Sequence, residues 1–93
     1  MKIGAMQIKL YAPWVHSLKE KRMIVKSLIA KIKNTFNVSV AEVAEQDTHQ
    51  TIIIAMAHVF TDDHTQDSVW DTILNFIEKN TEAEITDVNR EIR

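Results

Sequence analysis

The 93-residue chain contains no cysteine, which excludes a disulfide framework, a thiolate zinc site and a cysteine nucleophile. Apolar residues make up 45% and charged residues 26% of it, ordinary values for one globular domain and unlike those of disordered or fibrous chains. The net charge of −2 conceals a split: residues 1–40 carry eight Lys or Arg against Glu20 alone, a net of +7, whereas residues 41–93 carry three against twelve acids, a net of −9. Such asymmetry suits an anionic partner for the first half, or pairing between copies of the chain.

The start, Met1-Lys2-Ile3-Gly4, lacks the apolar region and cleavage site of a signal peptide. The longest apolar run, Ile52 to Ala57, is far too short to span a bilayer. A cytoplasmic location without membrane contact is expected.

Lys2 to Ala12 alternates, with Gly4, Met6, Ile8, Leu10 and Ala12 on one face, and predicts a strand that Pro13 closes. Ser17 with Glu20 three residues later forms a capping-box pattern. The helix it opens has a core stripe of Leu18, Val25, Leu28, Ile29, Ile32 and Phe36, and it ends between Asn34 and Asn37. Val38 to Glu45 and Thr51 to Phe60 predict a second and a third strand, with a turn over Gln46 to Gln50. Thr61, Asp62 and Asp63 supply N-cap residues and early acids for a second helix with apolar stripe Val69, Trp70, Ile73, Phe76 and Ile77, ending near Asn80. The more polar segment Thr81 to Ile92 predicts an edge strand.

This βαββαβ order predicts one α+β domain over residues 1–93. Its fold is a ferredoxin-like split βαβ with sheet order 4-1-3-2 and both helices on one face, because each crossover must be right-handed. The other sheet face is then uncovered. On the third strand both faces are apolar, Ile52, Ile54, Met56 and Phe60 on one and Ile53, Ala55, Ala57 and Val59 on the other. A monomer would expose one of these sets, which predicts a homodimer or another partner over it.

The same topology gathers residues 16–22, 45–50 and 79–81 at one end of the sheet. Ser17, Glu20, Glu45, Asp47 and His49 form a loop-end cluster there, with Lys21 and Arg22 available to pair with its carboxylates. The plainer use of these charges is to pin the hairpin to the helix; the functional use is a ligand site. Lys19, Arg22, Lys26 and Lys33 fall within about 60° on a helical wheel, a basic ridge able to track a phosphate backbone. With Lys21 they are the candidate nucleic-acid or anion contacts, against the alternative of a merely solvated helix face. No aromatic pair of the kind that stacks bases lies on the sheet, which argues against sequence-specific RNA reading. Asp67, Asp71 and Glu78 make the second helix unsuited to phosphate.

The four histidines, 16, 49, 58 and 64, lack metal-ligand spacing, so neither metal nor cofactor is expected. Ser17 is accounted for as a cap, and no glycines surround it as a nucleophile elbow requires.

Ser-Leu-Lys-Glu-Lys-Arg at 17–22, Asn-Val-Ser-Val-Ala-Glu-Val at 37–43 and Glu-Gln-Asp at 45–47 resemble the YlxP-like family of small bacterial proteins, a domain of unknown function. The likeness spans nearly the whole chain, with Ser17, Lys19, Glu20, Lys21, Arg22, Glu45 and Asp47 on its pattern. The resemblance implies a ferredoxin-like fold. It also implies a gene often placed near those for translation initiation and ribosome assembly, and hence a role with ribosomal RNA or ribosomal protein. It implies no enzyme activity, cofactor or catalytic residue. The expected function is accordingly a cytoplasmic, ribosome- or RNA-associated accessory factor acting through the basic ridge. The alternatives are a homodimeric protein-interaction or small-ligand-binding module with no nucleic-acid role, and an enzyme working through Glu45, Asp47 and His49.

Overall fold

The structure, a computed structural model, describes the backbone of residues 1–93 and every side chain except that of Asp63. Its elements are β1 (Lys2–Tyr11), α1 (Leu18–Thr35), β2 (Ser39–Ala44), β3 (Thr51–Phe60), α2 (Asp63–Asn80) and β4 (Glu84–Ile92). All pairings are antiparallel and the sheet order is β2-β3-β1-β4, the expected 4-1-3-2 arrangement counted from the other edge. This is the α+β, ferredoxin-like split βαβ that the sequence predicts.

The strand alternation translates directly into burial. Met6, Ile8 and Leu10 of β1 and Ile52, Ile54, Met56 and Phe60 of β3 point to the helices and are almost inaccessible, as is Ala12 just beyond β1. Val25, Leu28 and Ile32 of α1 and Trp70, Ile73 and Ile77 of α2 close the core from the other side. Each large side chain so removed from water contributes about 1.5–3 kcal/mol before chain entropy is counted.

Both helices begin at their expected caps. The Ser17 hydroxyl accepts from the Glu20 amide at 3.1 Å, and the Glu20 carboxylate accepts from the His16 amide at 3.5 Å. Asp62 caps α2 by accepting from the Thr65 amide at 3.1 Å. The side chain of Asp63, expected to assist there, lies outside the described residues.

β4 begins three residues later than the β-forming pattern suggests, at Glu84, because Thr81 caps α2 and its hydroxyl accepts from the Ala83 amide. Bulges occur in β2 between Glu42 and Ala44, and where β4 passes Lys9 and Leu10. Both fall on edge strands, where a bulge limits pairing with further chains.

Gly4 sits where α2 meets the sheet. A Cβ there would collide with Gln66 Oε1 and approach Phe60 Cε2 to 2.6 Å. Gln66 is itself buried, and its Oε1 accepts from Trp70 Nε1 at 3.4 Å. The glycine therefore leaves room against β1 for the Gln66 amide and the Phe60 ring.

Candidate functional site: the cationic face of α1 and the loop-end cluster

α1 is a basic helix for a local reason. Its core stripe runs along one side, and Lys19, Arg22, Lys26, Lys31 and Lys33 stand exposed elsewhere on its surface. Its one acid, Glu20, is engaged at the N-terminal cap. Arg22, Lys26 and Lys33 border a single open groove of about 430 Å³ whose floor is Val25, Ile29 and Ala30 and whose far wall includes Glu42 of β2. Three of the four expected ridge residues thus line one feature. Lys19 is exposed one turn closer to the helix start, outside that lining.

Lys21 departs from the expectation. It is 1% exposed, so it cannot contact a nucleic acid or any anion from solution. The reason lies in helical spacing: position 21 falls on the row of Leu18, Val25, Leu28 and Ile32, the side that meets the sheet. Its ammonium donates to the Glu45 carbonyl and lies 3.0 Å from Glu42 Oε2. The Lys21–Glu42 contact is an ion pair without hydrogen-bond alignment, and Glu42 Oε2 has no hydrogen-bond donor among the described residues. Lys21 is a structural pin, and the anion-contact role expected for it is corrected accordingly.

The loop-end segments do converge, through backbone more than through carboxylates. Glu45 has a φ of 57°, in the left-handed region that non-glycine residues enter at a cost. That turn aims its carbonyl at both the Lys21 ammonium and the Thr48 amide, while its carboxylate accepts from the Thr48 hydroxyl at 2.8 Å. Gln50 then ties the hairpin to the β1–α1 loop. Its Nε2 donates to the carbonyls of Pro13 and Val15, and its own carbonyl accepts from the Ala12 amide. Ser17 and Glu20 meet each other at the cap and do not join Glu45. Asp47 and His49 remain exposed on the hairpin. No group of three His, Asp or Glu side chains able to hold a metal ion forms among the described residues.

At the same end, half-exposed Trp14 lies with Met23, Ile24 and Leu28 of α1 and Asn80 along a second groove of about 300 Å³. His58 is partly buried against Phe60, with Nδ1 2.5 Å from the Asn37 carbonyl. No helix is long and apolar enough to cross a membrane among the described residues.

The residue that sequence reasoning missed is Glu42. Its signal was present: Val40 and Glu42 share the core-facing side of β2, opposite Met56 and Ile54. A carboxylate at such a position calls for a cation from the helix above.

A ferredoxin-like α+β domain with a cationic first helix and an internally pinned hairpin defines the structural class. The chain belongs to the family described as "Protein of unknown function (DUF503)", which it matches over residues 3–90. It is 36% identical over 70 residues to the "Uncharacterized protein YlxP" of Bacillus subtilis (strain 168), covering 75% of this chain and 76% of that protein. Among solved structures it is similar to the de novo designed protein Foldit4. The TM-score is 0.51 at 16% identity, over 97% of this chain and 94% of that one, a likeness of fold alone.

Proposed function

We propose that this protein is a cytoplasmic, non-catalytic accessory factor that docks on ribosomal RNA through α1, with Lys19, Arg22, Lys26 and Lys33 as phosphate contacts. The observation that carries the reading is the arrangement of Arg22, Lys26 and Lys33 along one groove on a helix whose single acid is engaged in its own cap. From Lys19 to Lys33 the helix rises about 21 Å at about 1.5 Å per residue. That length matches about six nucleotides of strand at roughly 3.4 Å each, so several phosphates lie within reach of the four cations. The aliphatic floor of the groove offers no stacking surface, which favours backbone contact over base reading. The choice of a ribosomal partner rests on the family resemblance carried by residues 17–22 and 37–47.

The test is cosedimentation of the protein with ribosomal subunits, with and without Lys19→Glu, Arg22→Glu and Lys26→Glu combined. All three side chains are exposed, so the fold should persist, as circular dichroism can check. Binding should fall at least tenfold in the triple variant. Unchanged cosedimentation would refute the reading, and retention on an acidic protein in place of RNA would redirect it.

A further inference from the structure

The sheet face turned away from the helices has a character of its own. Register places Ala41, Ala55 and Gln7 on one level, and Ser39, Ala57 and Ala5 on the next. Ala44 and Ile53 flank these rows at one end, and Ile3 with Val59 at the other; Val59 is 58% exposed. Five alanines among these positions make the middle of the face flat and apolar. β4 contributes a different edge: Glu84, Asp87, Asn89 and Glu91 face the same way beside Tyr11, Lys9, Gln7 and Ala5.

These features select the occupant. The β4 border is mixed, since Glu91 pairs with Arg93 at 2.7 Å and Lys9 stands beside Asp87. The face offers bases Tyr11 alone to stack on, so it has neither an unopposed cationic track nor a stacking platform for nucleic acid. A flat surface of small side chains is matched closely only by another flat apolar surface. We infer that a second copy of this chain covers the face, stacking sheet on sheet about a two-fold axis parallel to the strands.

Such an axis reverses the strand order of the partner, setting β3 over the partner's β1 and β4 over the partner's β2. Glu91 and Asp87 of β4 then meet Ser39 and Ala44, with Asn89 over Ala41, none of which carries a charge, and acid never opposes acid. The isologous contact is therefore matched in shape and sets no acid against an acid. Four strands about 4.8 Å apart, with roughly nine residues at about 3.4 Å each, present a face of about 600 Å². Two copies would bury about 1,200 Å² in total, the lower end of the range for specific interfaces, consistent with a dimer of micromolar stability. The inference is independent of RNA docking, because α1 lies on the opposite side of the sheet.

The experiment is sedimentation equilibrium of the full chain between about 5 and 200 μM, without nucleic acid, compared with Ala55→Arg. The expected result for the unaltered protein is twice the 10.7 kDa chain mass at the upper concentrations, with the dimer Kd raised at least a hundredfold in Ala55→Arg. A control, Lys26→Glu on α1, should leave the dimer unchanged. A 10.7 kDa species throughout would overturn the inference. So would a folded Ala55→Arg variant that dimerises normally, since the contact would then lie elsewhere. Should Ala55→Arg fail to fold, Ala55→Cys and Ser27→Cys decide. The chain has no other cysteine, so a short bismaleimide should join two Ala55→Cys chains and not two Ser27→Cys chains; the reverse pattern would overturn the proposal.

Discussion

Replacing Lys21 with methionine removes one charge from the interior while nearly preserving the volume of the side chain. Glu42 is left with its Oε2 buried and with no ion-pair partner among the described residues, although 16% of its side chain still reaches solvent. Removing one partner of a fully buried pair costs about 3–5 kcal/mol, and the partial hydration of Glu42 lowers the expected loss to about 2–3 kcal/mol. The Glu45 carbonyl adds little to this, because it keeps the Thr48 amide as a donor. In urea, with a slope of about 1 kcal/mol per molar, the midpoint should fall by about 2–3 M. The measurement is made at one fixed protein concentration, since association would otherwise shift the midpoint.

The double variant Lys21→Met/Glu42→Leu removes both charges and should return to within about 1 kcal/mol of the unaltered protein, because a well-packed apolar pair replaces a buried ion pair at little or no loss. The coupling energy between the two sites should exceed about 1.5 kcal/mol. A Lys21→Met variant within about 0.5 kcal/mol of the unaltered protein would refute the assignment of Lys21 as the pin. So would a double variant whose losses simply add.

Two further predictions concern the frame. Gly4→Ala should destabilise by about 1–3 kcal/mol, because the methyl group must displace Gln66 or Phe60 from a packed position. Calorimetry should show a Tm at least about 5 °C lower, and an unchanged Tm would contradict the tight packing of Gln66 and Phe60 against Gly4. Ser17→Ala should cost about 1 kcal/mol through loss of the bond to the Glu20 amide, whereas Ser17→Asp should be close to neutral; denaturant titration distinguishes the two.

The fold was legible because every element of this chain agrees locally with its final state. Period-two alternation in β1, the β-branched run in β3 and side-chain caps at Ser17 and Asp62 each specify one conformation, and the right-handed crossover leaves one topology. The site was legible only in part. A helical wheel sorts residues by angle and so found Lys19, Arg22, Lys26 and Lys33 together, whereas Lys21 joined the candidate contacts by its charge although its angle belongs to the core row. What joins Lys21 to Glu42 is a contact between helix and strand 21 positions apart, and it depends on the bulge and turn that bring β2 beneath α1. The left-handed Glu45 gave no composition signal, since glycine or asparagine ordinarily marks such a turn. The convergence of residues 16–22 with 45–50 followed from topology alone. That Gln50 fastens it through the Pro13 and Val15 carbonyls required coordinates.

The claim that α1 docks on RNA is tested most directly by the salt dependence of binding to ribosomal RNA. With four phosphate contacts of about 0.7 counterions each, log K should fall against log salt with a slope of about −3, so that affinity drops about fiftyfold between 50 and 200 mM salt. The Lys19→Glu, Arg22→Glu, Lys26→Glu variant should bind weakly and lose most of that slope. Affinity that ignores salt, or a slope that survives the three substitutions, would contradict the account.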